Sequence, residues 1–121
     1  MVAKKELSDA GGDRAAFLRA LEALDRALDE NVDRAQQMKR RIAELEEACA
    51  TGRPIREIVP EEKTPLIVQL VTDSTNVLHD YGAAVRRTEA RVLHREGMTM
   101  DQIARLFGVS RQRVSALLRD G

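Results

Sequence analysis

Residues 13–50 repeat an apolar pattern every seven positions, and this stripe constrains the 121-residue chain more than any other feature. One register holds Leu21, Leu28, Ala35, Ile42 and Cys49. The other holds Phe17, Leu24, Asn31, Met38 and Leu45. Seven of these ten side chains are large and apolar, and Arg, Glu, Asp and Gln fill most positions between them. The spacing predicts one long helix, about 55 Å from end to end at ~1.5 Å per residue. Such a helix cannot bury its stripe alone, so it needs a partner helix. Phe17, Leu21, Leu24, Leu28, Asn31, Ala35, Met38, Ile42 and Leu45 are the expected dimer seam. Asn31 on this seam either pairs with its mate and fixes register or is a tolerated polar residue at an exposed crossing. Cys49 reads as a small buried hydrophobe.

The rest of the chain divides around this helix. Residues 1–12, ending in Gly11-Gly12, read as a flexible tail. Thr51-Gly52-Arg53-Pro54 stops the first helix, and residues 51–64 read as a connector whose Ile55, Ile58 and Val59 dock on apolar surface. Thr64-Pro65 predicts a restart, with Thr as N-cap and Pro at the first helical position. The next helix runs to about Glu96, with Gly82 the place where it would bend or divide into two helices. The expected organisation is a stem over 13–80 and a separate C-terminal unit over 81–121, in an all-α fold. The broad apolar face of the second helix favours an antiparallel hairpin within one chain, its seam shared with a neighbouring subunit.

Within residues 97–121, Thr99 and Gln102 have the spacing of a capping box, so a helix should begin at Met100 and carry Ile103, Leu106 and Phe107 on one face. Gly108 turns the chain, and Ser110 caps a second helix with Val114, Leu117 and Leu118 inward. This run resembles the helix-turn-helix family of bacterial DNA-binding domains. Ala104 stands where the family has a small residue that lets the helices approach. Gly108 stands at the turn, and Ile103, Phe107, Val109, Val114 and Leu117 stand at the shared apolar core. LFGVSRQRVSALLR is most similar to region four of sigma factors and to small regulators built like it. The resemblance covers residues 83–121, about a third of the chain. It implies a recognition helix over 110–119 lying in the major groove of double-stranded DNA. The chain ends two residues after Arg119, which leaves no room for a β-wing, and no other sigma-factor region is visible.

By that resemblance Ser110, Arg111, Gln112, Ser115 and Ala116 face base edges, with Arg111 suited to guanine and Gln112 to adenine or a phosphate. Thr99, Arg105, Arg113 and Arg119 become backbone clamps. Arg86, Arg87, Arg91 and Arg95 recur along the preceding helix, either tracking an adjacent phosphate strand or forming a solvated face. Charge agrees with this division. Residues 86–121 hold eight arginines against four acids, a net of +4, so in a neutral chain the remainder carries −4.

Composition and motifs exclude other classes. Three aromatic residues and no Trp argue against an aromatic-lined cofactor pocket, and a single Cys excludes an intramolecular disulfide framework. His79 and His94 lack a second ligand at metal spacing. Neither a phosphate-binding glycine loop nor a nucleophile triad is present. The expectation is a non-enzyme without cofactor or metal, cytoplasmic and nucleoid-associated, with no membrane segment. It binds double-stranded DNA as a homodimer and regulates transcription. The alternative is a helical adaptor whose stem binds RNA polymerase, a sigma factor or a phage or chromosome-organising partner, or a weakly specific architectural protein of the nucleoid.

Overall fold

The computed structural model describes the backbone of residues 4–120 and the side chains of residues 11–120. The fold is all-α, with no strand among the described residues. Helix α1 (Lys4–Ala50) is followed by a short α2 (Ile55–Ile58), a 3₁₀ turn (Val59–Glu61), α3 (Ile67–Arg95), α4 (Met100–Phe107) and α5 (Arg111–Arg119). Residues 4–12, expected as a tail, continue α1. Gly11 and Gly12 are tolerated within a helix already propagating on either side. Two compact units result. One is Arg26–His79, and the other joins the chain up to Asp25 with Asp80 onward. Residues 13–25, assigned above to the stem, thus group with the C-terminal helices.

The Arg26–His79 unit is a helical hairpin. Its two arms run antiparallel. Arg34 Nε on α1 donates to Ser74 Oγ on α3 at 3.3 Å. Nearer the turn, Arg41 lies 3.8 Å from the Glu62 carboxylate and donates to the Lys63 carbonyl. Ala27 and Ser74 are buried, which sets the inward side of each arm. The heptad seam is therefore split. Asn31, Ala35, Met38 and Leu45 are half-buried, whereas Leu28 and Ile42 are 45% and 39% exposed. The inward stripe takes in Ala27, Arg34 and Arg41 instead, because small Ala27 admits close approach and the two arginines reach polar partners. Asn31 is not at an exposed crossing: its Oδ1 is buried, as is Arg34 Nη2, and neither has a hydrogen-bond partner.

The connector closes the hairpin with specific ties. Gly52 sits at φ +84° and donates its N–H to the Cys49 carbonyl, ending α1. Arg53 and Glu61 form a two-pronged pair at 2.9 and 3.1 Å. Ile58 is buried and Val59 half-buried, but Ile55 is 63% exposed and does not dock as expected. Helix α3 begins at Ile67, not at Pro65. Glu62 Oε1 accepts the Ile67 N–H at 2.8 Å, so a connector carboxylate caps this helix and Thr64 does not.

In the other unit Arg95 Nε donates to Asp13 Oδ2 at 3.0 Å, and Arg14 faces Glu96 at 3.8 Å. Phe17 and Leu24 are half-buried, while Leu18 and Leu21 are exposed. Helix α3 runs through Gly82 without division. It ends where Met98 N–H bonds the Leu93 carbonyl and Gly97 N–H bonds the His94 carbonyl, with Gly97 left-handed. This paired closure turns the chain sharply into α4. The core of the unit is Ala90, Ile103, Ala104, Val114 and Leu117. Leu93, Met98, Met100, Phe107, Val109 and Leu118 pack around it.

Candidate nucleic-acid interface

Each boundary of the α4–α5 pair follows from local chemistry. Thr99 Oγ1 accepts the Gln102 N–H at 3.1 Å, and Gln102 Oε1 accepts the Thr99 N–H at 2.8 Å. This reciprocal cap fixes the start of α4. Gly108 ends it at φ +69°, ψ +35°. Ser110 Oγ then accepts the Arg113 N–H at 3.1 Å and starts α5. Only Gly108, Val109 and Ser110 separate the helices, so their crossing is set by a short, doubly capped turn.

That crossing buries one side of each helix. Ile103 and Val114 are completely buried, and Ala104 and Leu117 nearly so. Phe107 and Val109 are half-buried against them. The seven residues singled out from the sequence (Ile103, Ala104, Phe107, Gly108, Val109, Val114 and Leu117) thus come together at one crossing. Leu106 does not join them: it is 61% exposed. The buried arc of α4 runs from Ile103 through Phe107 and Met100 to Ala104, and Leu106, at ~100° per residue, falls about 60° beyond Ile103 on the side away from Ala104.

At the N-terminal end of α5 Ser110, Arg111, Gln112 and Arg113 are exposed, and Arg119 is exposed at its C-terminal end. Ser115 and Ala116 are half-buried. The arginines fall into two groups. Arg95 is paired with Asp13, Arg91 donates to the Asp120 carbonyl, and the Arg86 guanidinium lies 5.4 Å from the centre of the Phe107 ring. Among the described residues, Arg87, Arg105, Arg113 and Arg119 form no ion pair or side-chain hydrogen bond. Arg111 stands between the groups, 3.7 Å from Asp101 with both side chains mostly exposed.

Sequence reasoning missed these ties. Asp13 and Arg95 are 82 positions apart, and no local pattern links them. The Asp101–Arg111 pair had a faint signal: one acid in the first turn of α4 and one base at the start of α5, held ten residues apart by a short turn. His94 Nδ1 lies 3.2 Å from the Met98 carbonyl, a helix-end contact. Among the described residues no group of three or more His, Cys, Asp or Glu is arranged to hold a metal, and no helix is long and apolar enough to cross a membrane. No protein-family model, curated protein or solved structure matches this chain.

Proposed function

We propose that this protein is a sequence-specific double-stranded DNA-binding regulator of transcription that acts as a homodimer, with α5 in the major groove. One observation carries the reading: the start of α5 presents Ser110, Arg111, Gln112 and Arg113 to solvent, while Val114 and Leu117 are buried beside α4. A helix held from behind by a neighbour, with polar and basic residues outward, has the form needed to enter a groove ~12 Å wide. Arg111 reads guanine and Gln112 reads adenine or a neighbouring phosphate. Arg105, Arg113 and Arg119 hold the backbone. Thr99 contributes its hydroxyl proton, since its oxygen already accepts from Gln102. Ser115 and Ala116 line the groove-facing side with little bulk.

One recognition helix buries too little surface for tight specific binding. Two copies supply two half-sites about one helical turn, ~34 Å, apart. The test is fluorescence anisotropy against an operator selected from random duplexes. Arg111→Ala should weaken binding by ~1–3 kcal/mol and relax preference at one base pair per half-site. Wild type and variant binding with equal affinity and equal preference would overturn the groove assignment. An absence of any duplex binding at low salt, together with co-purification of a protein partner, would favour the helical adaptor instead.

A further inference from the structure

We propose that two copies of this chain associate through one face of the Arg26–His79 hairpin, formed by Leu28, Val32 and Ile42 of α1 with Val68 and Val71 of α3. These side chains are 45%, 56%, 39%, 71% and 49% exposed. Helix periodicity brings them to one side. Leu28 and Ile42 each follow an inward residue, Ala27 and Arg41, by one position, and Val71 follows half-buried Leu70 in the same way. One position is a turn of ~100° about the helix axis. In two antiparallel helices the same turn leads to the same side of the pair. Val32 lies four positions from Leu28, and Val68 three from Val71, so both extend that face.

Polar groups on this side are internally satisfied in its middle, and exposed Glu46, four positions beyond Ile42, and His79, four beyond Thr75, mark its two ends. Thr75 Oγ1 donates to the Val71 carbonyl at 2.9 Å, and Thr72 beside it donates to the Val68 carbonyl at 3.0 Å. Both hydroxyls are thereby turned back on their own helix. Between Leu28 and Ile42 the remaining positions on the face are Ala35 and Lys39, and the Lys39 stem can lie along apolar surface with its ammonium at the rim. Glu30, Asp33, Arg40, Glu44 and Glu47 fall on the opposite flank of α1, and Asp73 on the opposite flank of α3. The middle of this face is thus apolar, with Lys39 and Glu46 at its rim, and the opposite flank is charged. Depletion of charge is the compositional mark of an interface core.

The occupant follows from size and shape. The five aliphatic side chains expose on the order of 400–500 Å² per copy, about half of the ~800 Å² each partner gives to a standard interface. Ala35, Thr75 and the Lys39 stem enlarge it. Two hairpins laid face to face make a four-helix bundle in which the same residues serve both sides, as a two-fold interface requires. This assignment rests on the DNA-binding reading for its purpose, two recognition helices per assembly, but its test needs no DNA.

Sedimentation equilibrium of the full chain across micromolar concentrations should give twice 13.5 kDa. Val32→Glu and Val68→Glu should each raise the dimer dissociation constant by about 100-fold or more, because each buries an unpaired carboxylate. Val68 is mostly exposed in the first turn of α3, so its substitution should leave the far-ultraviolet circular dichroism unchanged. Gln37→Glu, outside this face, should leave the dimer as in wild type. A wild-type monomer at ~100 µM would overturn the proposal. So would Glu variants that dimerise as tightly as Gln37→Glu. Arg111→Ala keeps the dimer mass in either case. Loss of DNA binding with an intact dimer therefore indicts α5, and a monomer that still binds DNA indicts this face.

Discussion

Gly82 and Gly108 offer opposite outcomes from the same substitution. At both positions an added Cβ meets nothing within 4 Å, so alanine introduces no collision at either. What differs is the backbone. Gly108 ends α4 at φ +69°, where an L-residue carries a penalty of roughly 1–2 kcal/mol. Gly82 lies inside α3, where glycine is worse than alanine by about 0.5–1 kcal/mol because the unfolded chain loses more freedom. Gly108→Ala should therefore destabilise by ~1–2 kcal/mol and Gly82→Ala should stabilise by ~0.5–1 kcal/mol, a separation of about 1.5–3 kcal/mol. Urea unfolding followed by circular dichroism reads both. With a slope of ~1–3 kcal/mol/M, the two midpoints should lie on opposite sides of wild type and differ by roughly 0.5–3 M. Two shifts of the same sign would refute the reasoning. A stabilised Gly108→Ala would mean that the α4–α5 turn is not left-handed at this residue.

Three further outcomes follow from burial and pairing. Ile103→Ala removes a completely buried side chain from the crossing of α4 and α5 and should destabilise by ~2–5 kcal/mol, whereas Leu106→Ala on the exposed flank should stay within about 0.5 kcal/mol, both read by urea unfolding. Asn31→Leu replaces a buried acceptor that has no partner and should raise hairpin stability by ~1 kcal/mol; a loss of that size would show that the amide is satisfied in solution. The Glu61 carboxyl is held below the usual glutamate range, first by its hydrogen bonds from Arg53 and then by the guanidinium charge. Its folded value lies below its unfolded one, so the stabilisation is present above the ordinary glutamate pKa and is lost as pH falls through the lowered value. Carbon-13 titration should find the lowered midpoint in wild type and an ordinary one in Arg53→Ala.

The short-range features were legible because their causes are local. Thr99 and Gln102 announce a capping box three residues apart, Gly108 announces a left-handed turn, and both stand where the spacing put them. The core of the α4–α5 pair was legible for the same reason: a two-helix crossing with a three-residue turn leaves few ways to arrange Ile103, Ala104, Val114 and Leu117. The start of α3 was not, because Thr64-Pro65 is a sound local signal outranked by a carboxylate, Glu62, that the connector brings to the Ile67 N–H. Of the two heptad registers, that of Asn31, Met38 and Leu45 is turned inward, whereas Leu28 and Ile42 give way to residues one position earlier, Ala27 and Arg41. Heptad counting weighs apolar residues, and it cannot see that Arg34 and Arg41 will face inward when Ser74 and the connector supply partners. Ala27 was overlooked because a small residue adds little to an apolar pattern, yet its size is what permits burial at a helix contact.

The arginines show the same limit and lead to a numerical consequence. By sequence Arg86, Arg87, Arg91, Arg95, Arg105, Arg113 and Arg119 are equivalent candidates for phosphates. In the fold Arg95 is neutralised by Asp13, Arg91 is turned to the Asp120 carbonyl, and Arg86 lies over Phe107. Recruiting any of these three to a phosphate means giving up an internal contact first, which Arg87, Arg105, Arg113 and Arg119 need not do. Four cations remain: Arg87, Arg105, Arg113 and Arg119. Each phosphate neutralised contributes about −0.9 to the slope of log affinity against log salt, so the slope should be about −4 per protomer rather than about −6. Binding titrations from low to physiological salt measure it. Arg95→Ala should then leave the slope unchanged, while Arg113→Ala should reduce its magnitude by about one. A slope near −6 that falls with Arg95→Ala would mean that Asp13 releases its partner on binding and that the arginine row of α3 tracks the phosphate backbone after all.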